Sequence, residues 1–374
     1  MPWGTNTVSE LRTAFVHAVR TAGRPVATAA RDFGISRKTA YKWLARFDAH
    51  EPLADRSRRP HHSPARASNE LEAAVLEVRD QFGWGPRKIV AYLRHHDRPA
   101  PPARTAAAIL RRRGRVVPTS APAEVQRFER PEPNELWQLD FKGYVEVQRR
   151  RVYPLTVLDD HSRFLVALRC CPDQTYARAW DALWDALGEY GLPEQVLCDN
   201  AFGTHGRPAP GVSWFEARLI RLGIRVTHGR AYHPQTQGKV ERLHGTLERE
   251  VIPRLPRASL TEFQAGLDHW RRCVYNPLRP HEALGDVPPL SRWRPSPRPR
   301  PAALPAVEYP PGAVLRKVAG HGGIRWRDAL ILAGHGLAGD FVRVEEQDGS
   351  VTLWYGSHRI RQIPVDRLGD TGLL

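Results

Sequence analysis

Apolar residues recur at helical spacing in the first third of the chain, between short glycine and proline breaks. From Ala29 to Leu44 they fall every three or four positions, which predicts one buried stripe on short helices. Gly34 lies where a tight turn would join two helices, and Ser36 is a natural N-cap for the second. This is the pattern of a helix-turn-helix unit, and it returns over residues 69–115.

The pattern changes after residue 134. Three β-rich runs, "LWQLDFKGYVEV", "RRVYPLTVLDD" and "RFLVALRCC", are separated by turn signals and predict an antiparallel meander. A helical run, the strand "PEQVLCDN", a second helical run and the strand "IRVTHG" follow. Strands first, then helix and strand in alternation, predict a mixed five-stranded sheet with flanking helices, an α/β core.

The last part of the chain is again different. Residues 285–311 contain nine prolines, which predicts a stiff spacer. Beyond the spacer, short strands follow one another, with Asp348-Gly349 as a hairpin turn. We therefore expect a small all-β domain at the end, of the SH3-like barrel type.

These patterns predict a multidomain chain with all-α modules first, an α/β core and an all-β tail. The predicted segments are a helix-turn-helix domain (1–50), a basic linker (51–68), a second helix-turn-helix domain (69–116), a linker (117–133), the core (134–284), a Pro-rich linker (285–311) and a small β-barrel (312–374).

Positive charge is concentrated in the helical part of the chain. The formal net charge is +16, and residues 1–130 hold 24 Lys and Arg against 12 Asp and Glu, so +12 of it lies there. Nucleic acid is the expected partner of such a chain. Two helix-turn-helix units joined by a basic arm would read a longer DNA site than one unit. The alternatives are small helical bundles with solvated basic faces and a solvated linker.

The candidate DNA contacts follow from the outward faces of the second helices and from the basic arm. They are Arg37, Lys38, Tyr41, Lys42 and Arg46 in the first unit, Arg56, Arg58 and Arg59 in the linker, and Arg104, Arg111 and Arg112 in the second unit.

Several classes of protein do not fit the sequence. It contains no run of about 18 apolar residues and begins without the profile of a secretion signal, so we expect a cytoplasmic protein without a membrane span. The four cysteines form no C-x-x-C and no paired Cys/His spacing, which argues against a disulfide framework or a structural zinc site.

Three acids in the core have positions suited to chemistry. Asp140 lies inside the first strand, Asp199 ends a later strand, and Glu241 lies early in a helix after a polar loop. A carboxylate in mid-strand is costly to bury unless something neutralises it, and two Mg²⁺ ions would do so. Such a metal pair supports phosphoryl transfer.

Other acids compete for this role. Glu248 lies seven residues, or about 10 Å of helix rise, beyond Glu241, too far to bind the same ion pair. Asp159 and Asp160 lie at a turn between strands, where aspartate commonly caps backbone amides, and a metal role there is the alternative.

The ordered motifs "WQLD", "VLDDHSR", "VLCDNA" and "HPQTQGKVERLHGTL" resemble the integrase-core transposases of bacterial insertion sequences, relatives of retroviral integrases. The resemblance spans residues 134–284. It implies an RNase H-like fold and a D-D-E triad of Asp140, Asp199 and Glu241. It also implies two divalent ions, Mg²⁺ with Mn²⁺ as an alternative, bound by these three residues.

The resemblance further implies a function. Such a protein would bind the ends of an insertion sequence, cleave them and join the 3′-hydroxyls to target DNA, as a homo-oligomer on double-stranded DNA at the bacterial nucleoid. Gln235, Gln237 and Lys239 are candidates for contacting the cut strand, with helix capping as the alternative, and His244 lies one turn after Glu241. The alternative function is a non-catalytic DNA-binding repressor or host factor derived from a transposase.

The chain departs from the usual family pattern at several points. Glu248 stands where relatives usually place a basic residue, and "DFKG" lacks the threonine or serine often found shortly after the first aspartate. Forty-one residues separate Asp199 from Glu241, somewhat more than is usual. The zinc-binding module of retroviral integrases is replaced by the helix-turn-helix units.

Overall fold

The computed structural model describes residues 7–56, 67–115, 129–198, 211–228 and 238–368. The chain divides into two compact units, residues 1–66 and 67–374. The linker candidates Arg58 and Arg59 lie outside the described residues.

The first unit is a three-helix bundle of α1 (Val8–Arg20), α2 (Val26–Asp32) and α3 (Arg37–Asp48). Phe15 and Trp43 are buried at its centre, and the Arg12 guanidinium lies 3.9 Å from the Trp43 ring centroid. Gly34 has φ +63° between α2 and α3, and the Ser36 hydroxyl accepts a bond from the first turn of α3. The predicted turn and cap are confirmed.

The second helical module consists of α4 (Asn69–Phe82), α5 (Pro86–His95) and α6 (Ala103–Arg112). Its core is aromatic and aliphatic, with Phe82 stacked on Trp84 at 4.3 Å between ring centroids and Ile89 fully buried. α4 ends at Gly83 in the left-handed conformation, φ +75°, which is a common way to close a helix. The prediction of a second helix-turn-helix unit is confirmed.

The core contains a mixed sheet. Its strands are β1 (Trp137–Phe141), β2 (Val145–Val147), β3 (Arg150–Asp159), β4 (Leu165–Cys171), β5 (Gln195–Cys198) and β6 (Arg225–His228). Among the described residues the spatial order is β4-β3-β1-β5-β6, with β1, β3 and β4 antiparallel and β5 and β6 parallel to β1. β2 pairs with the start of β3 and lies in line with β1. The five predicted strands are therefore present, and β2 is a short sixth strand.

Helices cover both faces of this sheet. They are α7 (Tyr176–Tyr190), α8 (Trp214–Arg221), α9 (Gly238–Thr246) and α10 (Leu260–His269). α7 and α8 pack on the face that carries Leu139, whereas α9 and α10 pack on the opposite face. α9 continues into a π-helical segment, Leu247–Val251. No helix in the described ranges is both long and apolar enough to span a bilayer.

The Pro-rich segment after the core lies along the core. The Trp293 ring stacks on Phe164 with centroids 4.4 Å apart, and Ser296 N–H donates to the Tyr190 carbonyl at 2.8 Å. Arg298 donates to the carbonyls of Leu222 and Gly223 at 3.1 Å each. The segment predicted as a stiff spacer is therefore a strap that closes the apolar face under α7 and α8.

The tail is all-β, as predicted. Its strands are β7 (Leu315–Lys317), β8 (Gly323–Trp326), β9 (Ala329–Leu332), β10 (Phe341–Gln347), β11 (Ser350–Tyr355) and β12 (His358–Pro364). Four strands pair in the order β12-β11-β10-β7, and β8 pairs with β9. The Asp348-Gly349 hairpin is confirmed, with both residues at positive φ. Over the residues described, the two antiparallel sheets do not close into the expected barrel, because β7 and β12 remain edge strands.

A buried ionic cluster joins the second helical module to the core. The Arg279 guanidinium binds both carboxylate oxygens of Glu250, at 2.9 and 2.8 Å, and Lys88 of α5 approaches the same carboxylate at 3.5 Å. Arg87 adds ion pairs of 2.7 Å to Glu282 and Asp286. The module is therefore fixed to the core by a largely buried charge cluster at Glu250 and by more exposed ion pairs of Arg87.

We expect Arg279→Ala to lower the free energy of unfolding by about 3 kcal/mol, because it leaves the Glu250 carboxylate in a buried site with only Lys88 beside it. Arg272→Ala is the matched control, since Arg272 forms a similarly short pair with Glu189, 2.8 Å, on the exposed surface. The control should lose at most about 1 kcal/mol. Urea unfolding of both variants measures this, and equal losses would contradict a special role for the buried cluster.

Candidate active site

Asp140 occupies the face of β1 that points toward α9. Its neighbour Leu139 faces α7, and side chains alternate along a strand, so Asp140 faces the opposite side. The backbone of Asp140 is paired with Thr156 of β3, whose hydroxyl donates to the Asp140 carbonyl at 3.1 Å. The Asp140 side chain is 20% exposed, so solutes can reach it.

His244 of α9 lies beside Asp140 and bonds Thr156 of β3. Its Nδ1 lies 3.8 Å from Oδ2 of Asp140, and its Nε2 lies 2.9 Å from the Thr156 hydroxyl. Burial, and then the charge of Lys142, lower the pKa of His244 to about 4. The imidazole is therefore neutral near pH 7.

Glu241 lies in the first turn of α9, one turn before His244. Positions three apart lie on neighbouring surfaces of a helix, so Glu241 and His244 share a side. Val240, Leu243 and Leu247 form the buried stripe that fixes the rotation of the helix. Glu241 itself is exposed.

Asp199 lies outside the described residues, as do Gln235 and Gln237. The strand that leads to Asp199 is nevertheless defined. Cys198, the last residue of β5, pairs in parallel register with Leu139, the residue before Asp140. The roles of these three residues stay predictions.

The adjacent acids Asp159 and Asp160 are fully buried. Asp159 accepts backbone bonds from Asn134 and Ser162 at 2.8 and 2.7 Å, and burial raises the pKa of its carboxyl. Asp160 accepts from the Arg130 amide at 2.8 Å and from the Gln138 side chain at 2.6 Å. Both carboxylates are engaged by protein donors, which favours the structural interpretation over a metal role.

The Lys239 side chain is mostly buried. Its ammonium forms an ion pair with the buried Asp160 carboxylate, and burial, followed by the nearby charge of Arg163, lowers its pKa. The contact anchors the first turn of α9 to the end of β3. The predicted contact of Lys239 with the cut DNA strand stays a prediction, and such a contact would have to be made from this anchored position.

The described carboxylates suit a divalent cation in their chemistry. Asp140 and Glu241 offer oxygen ligands on two elements that pack together, and His244 places no positive charge against them. Mg²⁺ prefers a few carboxylates completed by water and phosphate oxygens. Within the described part of the chain, no group of three or more His, Cys, Asp or Glu side chains is placed to hold a metal. Asp199 would have to supply the third carboxylate.

The candidate DNA contacts of the first unit are mostly at its surface. Arg37, Lys38, Tyr41 and Lys42 are exposed on α3. Arg46 instead lies 4.8 Å from the Trp43 ring centroid and is mostly buried, while Arg56 pairs with Glu51. The exposed face of α3 is therefore basic, as the sequence predicts.

In the second module, Arg104 and Arg111 are exposed, but Arg112 is tied to Glu72. Glu72 lies buried in α4, and Arg113 also pairs with it at 3.2 Å. The hydrogen bond from Arg112, together with the charges of both arginines, lowers the pKa of Glu72 to about 2. Arg112 thus has a structural partner in addition to its predicted role.

Sequence reasoning missed Thr156 and the pairing of Lys142. Thr156 is buried in β3 and touches both His244 and Asp140, but a threonine in a strand gives no local signal of this. Lys142 follows Asp140 by two positions, and strand alternation places both on one side. This alternation is the sequence signal from which the position of Lys142 beside Asp140 could have been inferred.

The chain matches known domain families along most of its helical and core regions. Two integrase core domain profiles match residues 130–234 and 222–289. A homeodomain-like profile matches residues 39–110, and a helix-turn-helix profile matches residues 12–61. An integrase core and helix-turn-helix domains are therefore present, and domains of these types indicate DNA binding.

Curated relatives include an insertion element IS476 protein of 39.2 kDa from Xanthomonas euvesicatoria, 28% identical over 157 residues, which are 42% of this chain and 43% of the relative. The Pol polyprotein of feline endogenous virus ECE1 is 29% identical over 182 residues, 45% of this chain and 16% of the polyprotein. The chain thus spans less than half the length of either relative.

Among solved structures, the HTLV-2 integrase catalytic core domain in complex with magnesium matches with 19% identity and a TM-score of 0.31, over 43% of this chain and 97% of that one. A chain of a simian T-cell lymphotropic virus intasome matches with 18% identity and a TM-score of 0.36, over 78% of this chain and 96% of that one.

We expect Glu72→Gln to change how stability depends on pH. A carboxylate with a lowered pKa stabilises the folded state above its unfolded pKa and loses that effect as pH falls. For Glu72 the loss runs from about pH 4.5 to about 2. The variant should therefore be less stable than the wild type near pH 7, and the gap should narrow as pH falls from about 5 to about 3.

Urea unfolding at several pH values measures this gap. Glu70→Gln is the control, because Glu70 is exposed in the first turn of the same helix. A gap between wild type and Glu72→Gln that stays constant with pH would contradict the ion-pair assignment.

Proposed function

This chain carries an integrase core domain and helix-turn-helix domains, and we propose that it is a DNA transposase. It would bind the terminal repeats of an insertion sequence, cleave the DNA ends and join their 3′-hydroxyls to target DNA. The reaction class is metal-dependent phosphoryl transfer at a D-D-E triad of Asp140, Asp199 and Glu241. Such an enzyme would act on the bacterial nucleoid, in the cytoplasm.

The observation that carries the proposal is the hydrogen bond between His244 of α9 and Thr156, whose hydroxyl in turn donates to the Asp140 carbonyl. It holds α9, with Glu241 in its first turn, against the strand that presents Asp140. The register of β5 supports the third position, because Cys198 pairs beside Asp140 and Asp199 follows it in the chain. Three carboxylates from different elements would then converge at one end of the sheet.

In this proposal Asp140, Asp199 and Glu241 hold two Mg²⁺ ions. When bound, the ions supply Lewis-acid activation of the attacking oxygen and stabilise the leaving one. The neutral imidazole of His244 lies beside Asp140, and a hydrogen bond with the Thr156 hydroxyl fixes its position. The Lys239–Asp160 anchor sets the start of α9, the turn of the helix that carries Glu241.

DNA recognition would fall to the helical modules. The exposed basic face of α3 would enter a groove, and the second module, fixed to the core by the Glu250 cluster, would hold DNA close to the carboxylates. Joining two element ends requires at least two active sites, so the working form is proposed to be a homo-oligomer on DNA.

We expect Asp140→Asn and Glu241→Gln each to lower DNA nicking by at least about 10²-fold, because each removes a charge that holds the cation in the transition state. The assay incubates the protein with the DNA that flanks its own gene, labelled at the 3′ ends, in Mg²⁺ and in EDTA. Glu262→Gln is the matched control, since it changes an exposed first-turn acid of α10 in the same way.

The outcome separates the proposal from its alternative. The transposase is supported if the wild type and the control nick DNA in Mg²⁺ but not in EDTA. Both triad variants must then lose nicking while they still bind DNA. Specific DNA binding with no cleavage in Mg²⁺ or Mn²⁺ supports the repressor or host factor. Full activity of Glu241→Gln would refute the assignment of the third carboxylate.

DNA affinity should depend steeply on salt. If roughly six or more phosphates are contacted, the association constant should fall by about 10³ or more between about 50 and 200 mM salt, because counterions are released on binding. Fluorescence anisotropy with the flanking DNA measures the slope. Lys42→Ala, on the exposed face of α3, should make the slope shallower by about one unit, and a flat salt dependence in the wild type would argue against DNA as the partner.

A further inference from the structure

Glu248, the acid at a position where relatives usually place a basic residue, is in contact with Lys142. The Lys142 ammonium lies 2.8 Å from Oε1 of Glu248, and the two residues are 106 positions apart in the chain. The Lys142 side chain is 8% exposed, whereas that of Glu248 is 63% exposed. The two residues therefore form an ion pair between a buried cation and an accessible anion.

The direction of Lys142 is fixed by its backbone. Its amide donates to the Pro154 carbonyl of β3 at 2.8 Å, directly after the β1–β3 ladder ends. Strand alternation then sends its side chain to the same side as Asp140. The ammonium thus reaches the helix that carries Glu241 from the strand that carries Asp140.

Glu248 lies on the continuation of that helix. Residues 247–251 follow α9 without a break, and Leu247 is fully buried in the same apolar stripe as Val240 and Leu243. The Lys142 ammonium holds the pKa of the Glu248 carboxyl below its ordinary value, so the pair is ionic at neutral pH. The contact ties β1 to α9 about two helical turns beyond Glu241.

We propose that Lys142 and Glu248 are a positioning pair, which fixes the separation of β1 and α9 and thereby holds Asp140 and Glu241 at the spacing that a divalent cation requires. This inference rests on the proposed function, in which these two carboxylates bind the metal. It assigns a working role to Glu248, an acid at a position where a cation is usual.

If Lys142 acted only through its charge, removing it would change the metal affinity in the opposite direction. An ammonium two residues from Asp140 repels a divalent cation, so its removal alone would tighten metal binding. A positioning role predicts that removing either partner weakens binding, because groups that orient metal ligands typically contribute 10- to 100-fold in affinity. The sign of the Lys142 effect therefore separates the two explanations.

The experiment measures Mn²⁺ binding to the full chain by electron paramagnetic resonance, without DNA, for Lys142→Met, Glu248→Ala and the double variant. We expect each single variant to bind Mn²⁺ about 10-fold or more weakly, and the double variant to lose no more than the worse single one. Lys142→Arg, which keeps a donor for Glu248, should retain most of the affinity. Glu189→Ala, which breaks an exposed pair of equal length with Arg272, should bind as the wild type does.

Near-UV circular dichroism and thermal unfolding of each variant establish that the chains are folded at the temperature of measurement. Unchanged or tighter Mn²⁺ binding by folded Lys142→Met would overturn the positioning pair. Loss of binding in Lys142→Arg as severe as in Lys142→Met would also overturn it. If the wild type and Asp140→Asn bind Mn²⁺ equally weakly, the metal site of the proposed function is refuted, and the role of the pair in spacing its ligands is refuted with it.

Discussion

The structure depends on how α9 lies along β1. Gln138 and Asp140 of β1, and Lys142 just beyond it, lie on one side and meet three points on α9 and its continuation. Gln138 reaches Lys239 through Asp160, Asp140 lies 3.8 Å from His244, and Lys142 forms an ion pair with Glu248. From 138 to 142 a strand rises about 13 Å, and from 239 to 248 a helix rises about 13 to 14 Å. Because the two rises match, strand and helix stay in register over three successive contacts. The apolar stripe of Val240, Leu243 and Leu247 supplies the attraction, and the polar contacts set the position along the axis.

The same helix explains why the second helical module is fixed to the core. α9 runs on into residues 247–251, so Glu250 arrives at the end of a segment whose start is set by Lys239. Arg279 and Lys88 then bind Glu250, and Lys88 belongs to α5 of the module. A buried charge cluster adds little net stability, but it is costly to break at one member, and it therefore favours one docking arrangement over others. The same helix and its continuation therefore position both the second helical module and Glu241.

Local signals in the sequence were sufficient to predict the helices, strands and turns and part of the candidate site. Ser36, Gly34 and the Asp348-Gly349 turn act through their own backbone, and the alternation around Asp140 fixes its face, so these features could be predicted. Contacts across long sequence separations could not. Nothing near Lys239 indicates that Asp160 holds it, and nothing in a run of prolines indicates that Trp293 stacks on Phe164. The tail was predicted as β, but whether its edges close depends on sheet curvature, which alternation does not encode.

Net charge alone gives a poor account of the surface that DNA would meet. Many of the arginines counted in the first third are already paired within the chain: Arg112 and Arg113 with Glu72, Arg115 with Asp80 and Arg87 with Glu282. A cation whose charge is matched by a neighbouring carboxylate neutralises a phosphate less effectively than an isolated one, so it releases fewer of the counterions condensed on DNA. Arg37, Lys38 and Lys42 of α3 are exposed and form no ion pair with other described residues, so they keep more of their electrostatic effect. Basic composition identifies the class of partner, whereas the pairing of each cation decides which surface the partner would meet.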